Sequence, residues 1–137
     1  MLLLCAQSLF AKAVTYDHAP EGWEVDYKVA YKKARKEKKL LLVKFTGSNW
    51  CGYWKVLQKE IFDTEECKSL SDKNLVLLYI DFPRGSRTSP KAYKKQNDKL
   101  ASRYEFGGYP TVFIMKPKSK SKVLYTTGYK KVSPTDY

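Results

Sequence analysis

Two short apolar runs, separated by a helical stretch, constrain the fold of this chain more than any other feature. Leu40 to Thr46 and Asn74 to Asp81 are apolar without a helical period, which is typical of buried strands. Between them, a helical pattern opens near Cys51 and runs to about Phe62. A strand–helix–strand crossover within one sheet is almost always right-handed and makes its two strands parallel. The sequence therefore predicts an α/β domain with two parallel central strands.

Further patterns on either side extend this core. We expect a first helix over Asp26 to Lys39, a short helix carrying Cys67 and capped by Asp63 or Thr64, and a helix from Ser89-Pro90 to about Tyr104. The chain then has strand patterns at Thr111 to Met115 and Lys122 to Thr127, which predict a hairpin. The predicted fold is a central mixed four-stranded sheet with flanking helices. Ser133-Pro134 is typical of a helix start close to Tyr137, so we expect either a truncated last helix or a sheet with one bare face.

The chain length and the amino terminus define the expected domain organisation. A chain of 137 residues fits one domain. Residues 1–13 combine an apolar run with the small-x-small sequence Ala11-Lys12-Ala13, which predicts a cleavable signal peptide and a periplasmic or secreted protein. We expect residues 14–25 to be a linker and residues 26–137 to form the domain. No apolar stretch is long enough for a membrane span.

The net charge of +12, from 26 Lys and Arg against 14 Asp and Glu, is compatible with two interpretations. A lysine-covered surface that keeps a small protein soluble is one of them. The other is an acidic partner, such as nucleic acid or an anionic envelope polymer. Neither a Gly-rich phosphate loop nor a nucleic-acid motif accompanies the lysines, so we expect no specific nucleic-acid binding.

Cys51 lies at the junction between the first strand and the helix that follows it. Gly47-Ser48-Asn49 ends the strand, and the helix begins near the cysteine. A thiolate at the start of a helix is stabilised by the positive end of the helix dipole and by unpaired N–H groups, which favours nucleophilic reactivity. The alternative is that Cys51 is a small buried hydrophobic residue. Because Trp50 and Gly52 flank it, we predict that Cys51 is a catalytic residue.

Several segments together resemble the thioredoxin superfamily, in particular secreted bacterial thioredoxin-like proteins. The segments are Phe45-Thr46-Gly47-Ser48-Asn49-Trp50-Cys51, Asp81-Phe82-Pro83-Arg84, Asn97 to Tyr104, and Gly108-Tyr109-Pro110-Thr111. The resemblance covers about Asp26 to Gly128 and implies a thioredoxin-like fold. It also implies that Tyr109-Pro110 is a cis peptide bond facing Cys51, where the Tyr109 backbone would pair with an extended substrate.

Two positions depart from the pattern of that family. Its redox site is Cys-x-x-Cys, and Trp54 stands where the second cysteine would be. Its strand often carries a buried acid, and Lys44 stands there. Cys67 lies 16 residues beyond Cys51, past most of a helix, whereas a disulfide needs Cα atoms within about 7 Å. We therefore expect no internal disulfide.

The sequence leaves three functions open. The first is monothiol thiol–disulfide exchange, of the isomerase or mixed-disulfide type, at Cys51. An aromatic rim would hold cysteine-containing proteins or peptides there, and small thiols would be possible co-substrates. The second is a redox-inactive thioredoxin-fold binding or chaperone-like module, and the third is polyanion binding. We expect no cofactor, and no metal site because Cys51, Cys67 and His18 lack zinc spacing. The predicted substrate-binding residues are Trp50, Gly52, Tyr53, Trp54, Tyr109 and Pro110.

Overall fold

The helices and strands follow the order that the sequence predicts. The computed structural model describes residues 19–85, 91–104, 107–118, 122–130, 132–134 and 136–137, so the predicted signal peptide, His18 and the Ser89-Pro90 helix start lie outside the described residues. The helices are α1 (Tyr27–Lys36), α2 (Gly52–Leu57), α3 (Glu65–Asn74) and α4 (Lys91–Arg103), and a π-helical turn (Gln58–Phe62) continues α2. The strands are β1 (Leu40–Thr46), β2 (Leu75–Asp81), β3 (Thr111–Lys116) and β4 (Lys122–Gly128).

These four strands form one mixed sheet in the order β2-β1-β3-β4. β1 pairs with β2 in parallel, and β3 is antiparallel to both β1 and β4. This confirms the predicted fold class. The register places Thr46 opposite Asp81, and Phe45 opposite Thr111. The carboxyl ends of β1 and β2 and the start of β3 therefore meet at one end of the sheet, where Cys51 follows β1.

Both faces of the sheet are covered at β1, which explains why this strand is apolar along almost its whole length. Alternate residues of a strand point to opposite faces. Leu41, Val43 and Phe45 pack in one cluster with the buried face of α1. Leu42 packs in the other cluster, beneath α2 and its π-helical turn. Lys44 shares the face of Leu42, so the alternation directs its side chain into the second cluster.

Side-chain caps set the starts of two helices. The Asp26 carboxylate accepts a hydrogen bond from the Val29 N–H at 3.0 Å and begins α1. The Thr64 hydroxyl accepts from the Cys67 N–H at 3.3 Å and begins α3. Of the two predicted caps for the short helix, the structure therefore uses Thr64.

Residues of the predicted linker contact the sheet. The Glu24 N–H donates to the Leu77 carbonyl, and the Tyr79 N–H donates to the Glu24 carbonyl, both at 2.8 Å. Trp23 packs edge-to-face on Phe62, with ring centroids 5.1 Å apart. The contacts of the domain therefore begin before Asp26. Within the described residues, no helix combines the length and the apolar character that crossing a bilayer requires.

Candidate functional site

Cys51 is the residue that joins the turn after β1 to the start of α2. Its backbone is extended, with φ −96° and ψ 102°, and it occupies the N-cap position of α2. Its N–H donates to the Gly47 carbonyl at 2.9 Å, which closes the turn. Cys51 is buried, with only 7% of it exposed.

The turn before Cys51 is anchored by a buried carboxylate. Asp81, at the end of β2, accepts hydrogen bonds from the Ser48 N–H at 2.8 Å and from the Ser48 hydroxyl at 2.7 Å. Asp81 is fully buried, and the Asn97 amide donates to its backbone carbonyl at 3.2 Å. Sequence reasoning placed Asp81 and Asn97 in family-like segments without assigning this role. The anchor fixes the backbone that carries Cys51.

Trp50 forms one wall beside Cys51. Its indole N–H donates to the Phe82 carbonyl at 2.7 Å, and its ring lies over Gly47. A Cβ at residue 47 would lie 2.1 Å from Trp50 Cε2, so this close approach requires glycine. The Arg84 guanidinium carbon lies 3.8 Å from the centre of the Trp50 ring.

The peptide bond between Tyr109 and Pro110 is cis, as the family resemblance implies. Pro110 is buried and Tyr109 is half-buried. The Tyr109 ring packs edge-to-face on Trp50 at 5.2 Å between centroids and on Phe82 at 5.8 Å. Burial raises the pKa of the Tyr109 phenol, and the Arg84 charge opposes this rise. The cis turn and the turn that carries Cys51 are therefore joined through Trp50.

The remaining predicted substrate-binding residues divide into an exposed and an inward group. Gly52 is exposed, and Tyr53 is 61% exposed with its ring stacked on Tyr129 at 5.0 Å. Trp54 is half-buried, and its indole N–H donates to the Ser48 carbonyl at 2.8 Å. The Trp54 ring therefore closes the inner side of the site, where the family pattern has a second thiol.

Behind Trp54, the Lys44 side chain is fully buried in an aromatic cage. The Lys44 ammonium nitrogen lies between 4.5 and 5.4 Å from four ring centres. The rings belong to Trp23, Trp54, Phe62 and Tyr79. The nitrogen also donates to Gln58 Oε1, and the Gln58 amide donates to Asp63 at 2.7 Å. Burial lowers the pKa of Lys44 to about 7, although the carboxylates of Asp63 and Asp81 oppose this change.

Cys67 lies on α3 and is half-buried against the second core cluster. Cys51 and Cys67 are both free thiols. Burial, followed by the Asp63 carboxylate, raises the pKa of Cys67, and Lys44 partly offsets this. A raised pKa reduces the fraction of Cys67 that is thiolate at neutral pH, which disfavours its reaction as a nucleophile.

The fold and this arrangement define a thioredoxin-like protein, and comparison with known families agrees. The thioredoxin-like family matches residues 22–117, which is more than half of the chain. The chain belongs to that family. The matched range includes the turn that carries Cys51, the cis turn and Trp23.

Two curated relatives are named for disulfide or thioredoxin chemistry. A disulfide bond reductase DsbH of Chlamydia pneumoniae is 26% identical over 98 residues, which are 72% of this chain and 58% of that protein. The thioredoxin-related protein DsbJ of the same organism is 25% identical over 93 residues, 68% of this chain and 26% of DsbJ. The chain thus spans little more than half of one curated relative and about a quarter of the other.

Solved structures agree on the fold. A structure titled DsbH oxidoreductase superposes with a TM-score of 0.75 at 23% identity, covering 90% of this chain and 85% of the other. A thioredoxin from Thermus thermophilus gives a TM-score of 0.64 at 16% identity, covering 84% and 81%. At these identities the superpositions establish the thioredoxin-like fold.

Proposed function

We propose that this protein catalyses monothiol thiol–disulfide exchange through Cys51. The observation that carries the proposal is a cysteine at the start of α2 whose neighbour Trp50 packs on Tyr109 of the cis turn, with Trp54 at the position of a second thiol. The names of the relatives, a disulfide bond reductase among them, support this class of chemistry.

The exchange proceeds in two balanced steps. The Cys51 thiolate attacks one sulfur of a substrate disulfide, which forms a mixed disulfide and releases the other substrate sulfur as a thiolate. A second thiol, from the substrate itself or from a small external thiol, then attacks the mixed disulfide. Cys51 leaves as a thiolate, and one disulfide has replaced another without net oxidation or reduction. The substrate's own thiol gives isomerisation, and a small thiol gives release of a mixed disulfide.

The surroundings of Cys51 suit such a cycle. Trp50, Tyr109 and Pro110 form a wall against which the backbone of an extended cysteine-containing peptide would lie, and Gly52 and Tyr53 border the site on its exposed side. Trp54 and Lys44 stand at the positions of the family's resolving thiol and its acid, so α2 offers Cys51 no neighbouring thiol that could release a bound substrate. We expect the mixed disulfide to be long-lived without an external thiol.

The proposal includes a location outside the cytoplasm. An oxidising compartment supplies substrate disulfides, whereas cytosolic thiols are kept reduced. The apolar start of the sequence, which ends in Ala11-Lys12-Ala13, supports export to the periplasm or secretion.

The low exposure of Cys51 favours a second candidate function, a redox-inactive binding module. In that case the exposed Tyr53, stacked on the half-buried Tyr129, would hold a polypeptide, and Cys51 would act only in packing. Cys51→Ser would then leave capture of an unfolded polypeptide unchanged. If Cys51→Ser instead abolished capture of the unfolded polypeptide, the result would argue for exchange.

Insulin reduction distinguishes a monothiol from a dithiol mechanism. We expect the protein to show negligible turnover in an insulin-reduction assay driven by NADPH and thioredoxin reductase, because Trp54 leaves no second thiol with which Cys51 could form the internal disulfide that the reductase reduces. A dithiol thioredoxin assayed alongside is the positive control. Turnover comparable to that control would contradict the role assigned to Trp54.

A further inference from the structure

The described segments near Cys51 carry positive charges and no negative ones. These segments are residues 47–57, 82–85, 107–111 and 128–130. Together they contain Lys55, Arg84 and Lys130 and no aspartate or glutamate. The anchoring carboxylate of Asp81 is fully buried and bonded to Ser48, so it does not face solvent.

Arg84 is the best positioned of these cations. Its guanidinium lies 3.8 Å over the Trp50 ring, next to the wall that a substrate would contact. Two hydrogen bonds hold its backbone to Asn49, with the Asn49 amide donating to the Arg84 carbonyl at 2.6 Å and the Arg84 N–H donating to Asn49 Oδ1 at 2.9 Å. The two turns therefore carry Arg84 and Cys51 as one unit.

The Arg84 side chain is available for a ligand. Arg84 is exposed, and among the described residues no carboxylate pairs with it. A guanidinium stacked on an aromatic ring keeps its edge N–H groups free, and these match the two oxygens of a carboxylate. Stacking also restricts the side chain before a ligand arrives, which lowers the entropic cost of binding.

We propose that Arg84, stacked on Trp50, makes Cys51 selective for disulfides that carry carboxylates next to the reacting sulfur. This inference rests on the proposed exchange function and adds its substrate class. The shared chemistry is an anionic disulfide, which acidic cysteine-containing peptides and small thiols with carboxylates both provide. Exchange at Cys51 then proceeds by the balanced steps given above.

Two matched peptides test this selectivity. Short peptides with one cysteine, flanked by aspartates in one and lysines in the other, are activated as pyridyl disulfides. Attack by Cys51 releases thiopyridone, whose absorbance gives the rate. Each rate is divided by the rate at which the free amino acid cysteine attacks the same peptide, which corrects for the intrinsic reactivity of that peptide. At low salt we expect the aspartate peptide to react about tenfold faster, and this ratio to fall as salt screens the charges. Glutathione activated as a pyridyl disulfide replaces the peptides in a further arm and tests a small anionic disulfide by the same thiopyridone release.

Two variants that each remove one positive charge locate the effect. Arg84→Gln should lower the aspartate-to-lysine ratio at least about threefold. Lys36→Gln, at the end of α1 far from the cysteine, should leave it unchanged, and Arg84→Lys should retain part of it. A wild-type ratio near one, or a ratio that Arg84→Gln does not change, overturns the inference while exchange stands. If neither peptide reacts faster than with Cys51→Ser, the proposed function itself fails.

Discussion

Cys51→Ser is expected to reduce thiol–disulfide exchange to the rate measured without protein, a loss of about a thousandfold or more. A serine hydroxyl does not attack a disulfide, and an enzyme that loses its nucleophile retains only what its binding surface contributes. The serine should preserve the fold, since the N–H of residue 51 still donates to the Gly47 carbonyl. The measurement is thiopyridone release from an activated peptide, with circular dichroism to verify folding.

Cys67→Ser is the matched control for this experiment. It removes the other free thiol, on α3, and replaces it with the same side chain. We expect the exchange rate to stay within about twofold of wild type, because burial raises the pKa of Cys67 and keeps its thiol protonated. If Cys67→Ser lost the activity and Cys51→Ser kept it, the site would be misassigned.

The second large effect is a pH-dependent stability that originates from Lys44. Its pKa is about 7 in the folded protein against an ordinary value of 10.5, because the side chain is buried. Between these two values the unfolded chain holds a proton on Lys44 that the folded protein has released, so the free energy of unfolding rises with pH. The full shift corresponds to roughly 5 kcal/mol, gained between pH 7 and about 10 and absent below pH 7.

Comparison with Lys44→Met isolates this contribution. Burial also raises the pKa of several tyrosines, which lowers stability at high pH in both proteins alike. Both proteins carry Cys67→Ser, because Lys44 acts on the pKa of Cys67. Denaturant unfolding of both proteins at several pH values, with a reductant present, gives the difference in free energy. We expect this difference to shift in favour of the protein that keeps Lys44 as pH rises from 7 to 10. Parallel curves would show that Lys44 keeps its charge when folded.

The sequence predicts the fold of this protein well because local pattern and topology agree. The apolar runs that become β1 and β2 are too short for helices. Because a helical crossover connects them, they are expected to pair in parallel. The Thr111 and Lys122 runs, joined by a turn, become the antiparallel hairpin. Cys51 could be placed at a strand–helix junction for the same reason, since Gly47 ends the strand next to it.

The surroundings of Cys51 could not be predicted in the same way, because they depend on contacts between distant residues. Trp23 was expected in a linker, yet its ring helps to enclose Lys44. The position of Lys44 as a replacement for an acid was visible, but its aromatic cage was not. Likewise, no periodicity indicates that Arg84 stacks on Trp50 or that Asn49 holds the Arg84 backbone. Such contacts follow from how loops meet after the sheet has formed.

Direct detection of a mixed disulfide tests the central proposal that Cys51 works alone. The protein is incubated with glutathione disulfide, quenched with acid, and analysed by intact mass and peptide mapping. The account predicts a single glutathione adduct on Cys51 that persists until an external thiol is added, with Cys67 unmodified. An unmodified Cys51, or a disulfide between Cys51 and Cys67, would contradict it.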